Sequence, residues 1–393
     1  MSHVMNTYAR QPVAFVRGEG VWLWDEAGKK YLDALAGIAV NTLGYAHPKL
    51  TAALQKRIQS GVIHTSNLWR IPDQEAAADR VAEITGLDEV FFCNSGLEAT
   101  EASIKVARKY GHDKGIAEPA IIVMEKAFHG RSLATLSATG SRKVQAGFEP
   151  LVQGFVRVPL NDLDAVRQIA ERNRSIAAVM IEPIQGEGGI NVSRLEYLRG
   201  LKKICDDSGW LFISDEVQCG LGRTGKWFVY QHAGLQPDVV ALAKGLASGV
   251  PVGACVVGNK AKGVFKPGNH GSTFGGNPLA MTALVATIDA VKEEKLIDNA
   301  SRVGEAMIHS LKSHLGNLVA EIRGMGLMIG VELKEPCGDL VKLALDAGLV
   351  INVTADNVIR LLPPLVMSEA EGRQVVERLV PLVKAFVDKR VAA

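Results

Sequence analysis

The strongest restriction on the fold of this chain is a repeated alternation between short apolar runs and stretches with helical spacing, from about residue 63 to residue 290. Such an alternation is typical of an α/β unit in which helices cover both faces of a largely parallel sheet. The predicted strands are EVFFCN, AIIVME, AAVMIEP, LFISDE, DVVALA and ACVVG.

The two ends of the chain follow a different pattern. Residues 21–33, VWLWDEAGKKYLD, predict two short strands around a glycine-bearing turn. After a long helix predicted at residues 278–294, strand-like runs are flanked by helices, as in a small α+β domain. A chain of 393 residues usually forms more than one core. We therefore expect a large domain at residues 63–290 and a small domain that combines residues 1–62 with residues 291–393.

Charge and composition argue against several classes of function. The 44 basic and 42 acidic residues form no long run of like charge, so we expect neither a nucleic-acid nor a membrane-surface partner. The N-terminus has no signal-peptide pattern, and no stretch of about 18 apolar residues could span a bilayer, so we expect a cytoplasmic protein. The five cysteines are scattered without CxxC spacing, which argues against disulfides and against a metal site.

Polar residues end several of the predicted strands, where open α/β sheets bind their ligands. Ser95 and Gly96 lead into a helix whose first amides can hold a phosphate, although Ser95 and Glu98 also fit a capping box that needs no ligand. Asp215 could cap a turn or hold a cation. Lys244 could reach solvent, pair with a carboxylate, or react as an amine with an aldehyde.

Taken together, these residues favour one kind of site. Pyridoxal phosphate needs an amine for its aldehyde, a carboxylate for its ring nitrogen, amides for its phosphate and a ring against its face. Lys244, Asp215, the turn at residues 95–97 and Phe128 could supply these four groups at strand ends of one sheet.

Ordered motifs along nearly the whole chain resemble the class III, fold-type I pyridoxal-phosphate aminotransferases and, among them, the acetylornithine aminotransferases. The resemblance implies a mostly parallel seven-stranded sheet between helices, with a small α+β domain beside it. The motifs are WDEAGKKYLD, LGYAHP, NSGLEATE, AFHGR, IEPIQGEGG, DEVQCGLGRTG, PDVVALAKGLASGVPVGA, HGSTFGGNP, IRGMGLMIG and IRLLPPL.

The same resemblance implies one pyridoxal phosphate per subunit, bound as a Schiff base to Lys244. Asp215 would pair with the ring nitrogen, and Phe128 would stack on the ring. Most relatives have threonine or alanine in place of Leu97, so only its backbone amide is expected to hold the phosphate. The other residues implied in cofactor binding are Ser95, Gly96, Glu216, Val217, Gln218 at the phenolic oxygen, and Thr273 from the neighbouring subunit.

For the substrates, the resemblance implies that Arg131 binds the distal carboxylate and Arg360 the carboxylate beside the amine of glutamate. Glu187 would pair with Arg360 in one half-reaction and move aside in the other. Ser272 would add a contact from the partner chain, although a turn serine explains it equally well. The implied reaction is a ping-pong transfer of the δ-amino group of N2-acetyl-L-ornithine to 2-oxoglutarate in arginine biosynthesis, by a homodimer with shared active sites.

Several alternatives stay open at this point. Aminotransferases for ornithine, succinylornithine, 4-aminobutyrate or succinyldiaminopimelate share this machinery, and an aminomutase would keep Lys244 and Asp215. A non-catalytic phosphate- or dinucleotide-binding module is disfavoured because no G-x-G-x-x-G follows a first strand. His129 has no partner at metal-ligand spacing, which argues against a metal site there. Glu182 and Glu216 are expected to support the residues that contact the cofactor.

Overall fold

The structure is a computed structural model that describes residues 3–391. Its N-terminal part contains β1 (Phe15–Glu19), β2 (Trp22–Asp25), β3 (Lys30–Asp33), α1 (Ala36–Ala39), α2 (Pro48–Gln59) and α3 (Pro72–Thr85). The middle of the chain contains β4 (Glu89–Cys93), α4 (Gly96–Asp113), β5 (Ala120–Met124), α5 (Leu133–Ala138), α6 (Arg142–Gln145), β6 (Phe155–Val158), α7 (Leu163–Arg172), β7 (Ile176–Ile181), β8 (Ile184–Gln185), β9 (Asn191–Val192), α8 (Leu195–Ser208), β10 (Leu211–Asp215), α9 (Val229–His232), β11 (Val239–Leu242), a 3-10 helix (Lys244–Ala247), β12 (Gly253–Val257) and α10 (Pro278–Glu293). The C-terminal part contains α11 (Leu296–Leu315), β13 (Glu321–Met325), β14 (Met328–Glu332), α12 (Leu340–Asp346), β15 (Leu349–Val350), β16 (Asn352–Thr354), β17 (Val358–Leu361) and α13 (Glu369–Val391).

The central sheet has seven strands in the order β4-β12-β11-β10-β7-β5-β6. All neighbouring pairs are parallel except those of β12, which runs antiparallel to both β11 and β4. The connection from β11 to β12 is too short for the helical crossover that a parallel pair requires, which explains the reversal. The predicted fold class, with a mostly parallel sheet, is thus confirmed.

The strands at the middle of this sheet are buried on both faces, so their sequences are apolar at almost every position. All residues of β7 and β10 are buried. Along β10, Phe212 packs in the cluster that contains residues of α8, whereas Leu211 and Ile213 pack in the cluster that contains residues of α4. Because successive strand residues point to opposite faces, α4 and α8 cover opposite sides of the sheet.

The chain ends meet in a second sheet, ordered β1-β2-β3-β15. The predicted pair of strands at residues 21–33 is confirmed as β2 and β3. Strand β3 pairs in parallel with β15, which comes from the C-terminal part. A further antiparallel sheet has the order β13-β14-β17-β16. These pairings agree with a small unit built from both ends, while the boundaries at residues 62/63 and 290/291 stay a prediction.

Among residues 3–391, no helix has the length and apolarity that crossing a bilayer demands.

The carboxyl ends of β4, β5, β7, β10 and β11 lie at one edge of the central sheet, because these strands are mutually parallel. The residues that follow them are the turn at 94–97, the loop at 125–131, Glu182, the loop at 216–225 and Lys244. This edge therefore collects the polar strand ends that the sequence singled out.

Candidate active site

A single cavity at this edge brings together residues that lie far apart in the sequence. Its walls come from the turn after β4, the loop after β5 and the ends of β7, β10 and β11. The predicted site residues that line it are Gly96, Leu97, Phe128, Arg131, Asp215, Val217, Gln218 and Lys244.

Lys244 lies two residues after the end of β11 and opens the 3-10 helix. Its backbone has a φ of 47°, a left-handed conformation that costs a non-glycine residue about 1–2 kcal/mol. Burial, reinforced by the charge of Arg360, lowers the pKa of Lys244 to about 8, although the charge of Glu187 opposes the change. A larger fraction of this amine is therefore neutral near pH 7 than for an ordinary lysine, and the neutral amine is the form that attacks an aldehyde.

Asp215 ends β10 and is held from two sides. Its Oδ2 lies 2.7 Å from Nδ1 of His129, and its Oδ1 accepts a hydrogen bond from the amide of Val217 at 3.1 Å. Both His129 and Asp215 are buried. Burial is the largest single effect and disfavours the charged form of His129, but the hydrogen bond and charge of Asp215, with the charge of Glu182, together outweigh burial and raise the pKa of His129. The pair fixes the orientation of a carboxylate that faces the cavity.

His129 is thus a site residue that the sequence reasoning missed, since it was considered only as a metal ligand. Its place directly after Phe128 in AFHGR was the available signal. Pairing with Asp215 could not be read from the sequence, because the two residues come from different strand ends.

The N-terminus of α4 faces the same cavity. Oγ of Ser95 accepts the amide of Glu98 at 3.2 Å, as the capping box predicts, but the carboxylate of Glu98 accepts the amide of Asn94 rather than that of Ser95. A Cβ on Gly96 would lie 2.6 Å from Cγ1 of Val217, so only glycine allows this approach. The amides of Gly96 and Leu97, which precede that of Glu98, have no acceptor within the helix and can face an anion.

These groups fit pyridoxal phosphate. The cavity holds a buried amine with a lowered pKa, an oriented carboxylate, an aromatic ring and the open end of a helix. They are the four kinds of group that hold this cofactor and tune its chemistry.

Arg360 on β17 adjoins the cavity through Gln218. Its Nη1 lies 2.6 Å from Oε1 of Glu187 and 3.1 Å from Oε1 of Gln218, and its Nε donates to Oδ1 of Asn352 at 3.1 Å. Burial is the largest single effect and opposes ionisation of Glu187, but the charge and hydrogen bond of Arg360, with Lys244 and Gln218, together outweigh burial and lower the pKa of Glu187. The structure therefore places the predicted Arg360 and Glu187 in direct contact, and adds Asn352, which the sequence did not suggest.

Arg131 lies at the exposed side of the cavity. Its guanidinium carbon is 5.8 Å from the centre of the Phe128 ring, and the loop after β5 carries both residues. This position leaves the guanidinium free to meet a carboxylate that enters from solvent.

Other predicted residues have different neighbours in this chain. The carboxylate of Glu216 accepts the amides of Val229 and Tyr230, at the start of α9, and does not line the cavity. Oγ of Ser272 accepts hydrogen bonds from Asn94 and from the amide of Gly275, which is the turn role considered from the sequence. The neighbouring Thr273 is exposed and lies outside the cavity lining.

Comparisons with known proteins agree with this geometry. The sequence model of the family "Aminotransferase class-III" matches residues 4–383. The acetylornithine aminotransferase of Nitrosomonas europaea is 57% identical over 393 residues, which is 100% of both chains. The structure of the ornithine aminotransferase from Toxoplasma gondii has a TM-score of 0.95 at 34% identity, with 99% of this chain and 93% of that one covered. The acetylornithine aminotransferase from Elizabethkingia anophelis has a TM-score of 0.89 at 35% identity, with 98% and 96% covered.

The match of the family model and the full-length identity agree with the arrangement of Lys244, Asp215 and Phe128 in one cavity. The chain belongs to the class III aminotransferases, enzymes that depend on pyridoxal phosphate.

Proposed function

We propose that this enzyme transfers the δ-amino group of N2-acetyl-L-ornithine to 2-oxoglutarate, which gives N-acetyl-L-glutamate 5-semialdehyde and L-glutamate. The 57% identity with the acetylornithine aminotransferase of Nitrosomonas europaea over the whole chain supports this choice of donor. The reaction is a ping-pong exchange and serves arginine biosynthesis.

The observation that carries the proposal is the contact between Arg360 and Glu187. Glutamate has a carboxylate beside its reacting amine, whereas acetylornithine has none at that end. A site that accepts both substrates must present a positive charge to glutamate and neutralise that charge when acetylornithine is bound. A buried charge without a partner is costly, so Glu187 neutralises Arg360 while acetylornithine is bound and releases it for 2-oxoglutarate.

Arg131 would bind the carboxylate that both substrates carry at the far end. An arginine presents two parallel N–H groups to a carboxylate and so fixes its orientation as well as its charge. Its exposed place beside Phe128 supports this role.

Pyridoxal phosphate, when bound, supplies a ring that accepts the electron pair left on the substrate carbon when its proton departs. Lys244 would hold the aldehyde of the cofactor as a Schiff base. With the substrate amine in that place, the freed Lys244 amine would take the proton from the substrate carbon and would deliver it to the cofactor carbon that had carried the aldehyde. Its pKa of about 8 suits a group that must alternate between both forms near neutral pH.

The remaining groups would orient the cofactor. Asp215, fixed by His129, would hold the proton on the ring nitrogen, and Phe128 would cover the face of the ring. Gln218 would contact the phenolic oxygen. The amides of Gly96 and Leu97 would hold the phosphate at the start of α4, with the loop at residues 216–218 close beside them.

We further propose a homodimer with shared active sites. Residues 64–69 and 272–275 pack together, since Asn67 donates hydrogen bonds to the carbonyls of Ser272 and Gly275. They form an apolar patch that carries Leu68, Trp69 and Phe274, exposed by 87%, 72% and 63%. Large exposed patches of this kind usually mark an interface. A second copy on this patch would bring Thr273 and Ser272 to the neighbouring site, where Thr273 would reach the phosphate and Ser272 the substrate.

The test of the donor is a set of half-reactions followed by stopped-flow absorbance. Acetylornithine, ornithine, succinylornithine, 4-aminobutyrate and glutamate are each mixed with the enzyme in the absence of an acceptor. Acetylornithine should give the highest kcat/KM among the ω-amino donors. The likeness to the Toxoplasma gondii ornithine aminotransferase makes ornithine the second candidate, and a higher kcat/KM for ornithine would overturn the proposal. Turnover without any amino acceptor would instead indicate an aminomutase.

A further inference from the structure

Glu182 is a buried carboxylate that lies directly after β7 and lines the cavity, but the proposed reaction assigns it no step. Its Oε1 accepts the amide of Phe128 at 2.7 Å, and its Oε2 accepts the amide of Gly186 at 3.2 Å. One side chain therefore joins two loops that come from different strands.

Each of these loops carries a group for substrate binding. Phe128 begins the segment that leads to Arg131, and Gly186 directly precedes Glu187. Gly186 also lies against Gln218, since a Cβ on Gly186 would be 2.1 Å from Oε1 of Gln218. A shift of the Gly186 amide would thus move Glu187 and disturb Gln218, both of which contact Arg360.

The two oxygens of a carboxylate accept both amides at once. A glutamine offers one oxygen acceptor and turns its NH2 donor toward the second amide. The buried amide that loses its acceptor is then strongly destabilised. The bond to Phe128 is the shorter of the two, so the Gly186 amide is the one that a glutamine would release.

We propose that Glu182 is a positioning residue for substrate choice, because its two hydrogen bonds set the place of the Glu187 loop relative to the loop of Phe128 and Arg131. This inference rests on the proposed function, in which Glu187 masks Arg360 for acetylornithine. Release of the Gly186 amide weakens that masking and so favours glutamate over acetylornithine.

The test compares Glu182→Gln with Glu216→Gln. Glu216 is a matched control, since it is also buried, follows the neighbouring strand end and accepts two backbone amides, those of Val229 and Tyr230. Half-reactions with acetylornithine and with glutamate give the ratio of kcat/KM for the two donors. We expect Glu182→Gln to shift this ratio toward glutamate by about tenfold, and Glu216→Gln to leave the ratio as in the wild type whatever its effect on both rates.

Hydrogen–deuterium exchange of the purified enzymes, without substrate, supplies a readout that does not depend on turnover. In Glu182→Gln, peptides that contain Gly186 should exchange about tenfold faster than in the wild type, with residues 229–230 unchanged. In Glu216→Gln, peptides that contain residues 229–230 should exchange faster, and those that contain Gly186 should match the wild type. If Glu182→Gln fails to fold, Glu182→Asp keeps both acceptors on a shorter side chain and should shift the ratio in the same direction by a smaller factor.

The outcomes separate the two proposals. A wild type that does not react with acetylornithine contradicts the proposed function. A wild type that reacts, together with a Glu182 variant whose ratio and Gly186 exchange match the wild type, contradicts this inference alone. An equal shift of the ratio in Glu216→Gln contradicts it as well.

Discussion

Arg360 and Glu187 form an ion pair of 2.6 Å whose two members differ in exposure, since the arginine side chain is 1% exposed and the glutamate side chain 37%. Arg360 is also held by Gln218 and Asn352. Moving Arg360 would break several bonds to a buried charge, whereas Glu187 already reaches solvent. We therefore expect Glu187 to be the member that leaves the pair when 2-oxoglutarate needs Arg360.

Replacing Glu187 with glutamine should favour glutamate. The variant leaves Arg360 without a charged partner, so the arginine is free for the carboxylate of glutamate and unfavourable beside acetylornithine. We expect the kcat/KM ratio of glutamate to acetylornithine to rise by about tenfold or more, as for loss of a charged hydrogen bond. Half-reaction kinetics measure the ratio, with Glu196→Gln on the exposed face of α8 as control. A kcat/KM ratio equal to that of the wild type would contradict the proposed movement of Glu187 between the two half-reactions.

Substitution of Arg360 by lysine should shift the choice of donor in the opposite direction to Glu187→Gln, away from glutamate. Lysine keeps the charge but cannot reproduce the fork that contacts Glu187, Gln218 and Asn352. We expect kcat/KM for glutamate to fall by about 100-fold, and for acetylornithine by less than about tenfold, because only glutamate uses this group directly. Equal losses for both donors in the same assay would show that Arg360 does not distinguish them.

Much of the fold could be predicted because its central strands are buried on both faces and therefore uniformly apolar. The edge strand β6 was missed, since only one of its four residues is buried and its sequence carries little of that signal. The predicted helix after every strand was also wrong in places. Strand β11 is followed by a 3-10 helix and an antiparallel strand, because the connection between β11 and β12 is too short for a helical crossover.

For the site, the residues at strand ends could be predicted because parallel strands bring their carboxyl ends to one edge. The roles of Lys244 and Asp215 came from the chemistry of these side chains, and their placement in one cavity agrees with them. Apart from Glu187 with Arg360, which the resemblance implied, partners that meet only through the fold were not predicted. Asn352 reaches Arg360 as its cross-strand neighbour, and His129 reaches Asp215 across two strand ends.

The bond between His129 and Asp215 predicts a pH-dependent contribution to stability in the cofactor-free protein. Burial acts against the charged form of His129, but the hydrogen bond to Asp215 and the charges of Asp215 and Glu182 together raise its pKa above 6.5. The folded state thus binds the proton more tightly, and the added stability is complete below pH 6.5 and lost as pH rises through the raised pKa. His129→Asn should therefore destabilise the protein more at pH 6 than at pH 9.

Urea unfolding of the wild type and of His129→Asn at the two pH values measures this difference. His309→Asn, at an exposed position of α11, serves as control and should show no such dependence. The same gap between wild type and His129→Asn at both values would mean that His129 is not charged beside Asp215.

The amine of Lys244 should titrate near pH 8 in the cofactor-free protein. Burial is the main cause, because it disfavours the charged form, and the neighbouring Arg360 acts in the same direction. Below this pH the amine is protonated, and above it the amine is a nucleophile. Reductive ¹³C-methylation followed by an NMR titration gives the pKa, with the Lys244 signal assigned by its absence in Lys244→Ala. A value near the 10.5 of an ordinary lysine would contradict the account of the site.

The central claim is that Lys244 carries the aldehyde of pyridoxal phosphate. Borohydride reduction of the purified, cofactor-loaded enzyme fixes a Schiff base as a stable amine, and peptide mass spectrometry then locates it. We predict one phosphopyridoxyl group per chain, on the peptide that contains Lys244, and none in Lys244→Ala. A label on another lysine, or an unlabelled Lys244 in enzyme that turns over, would contradict it.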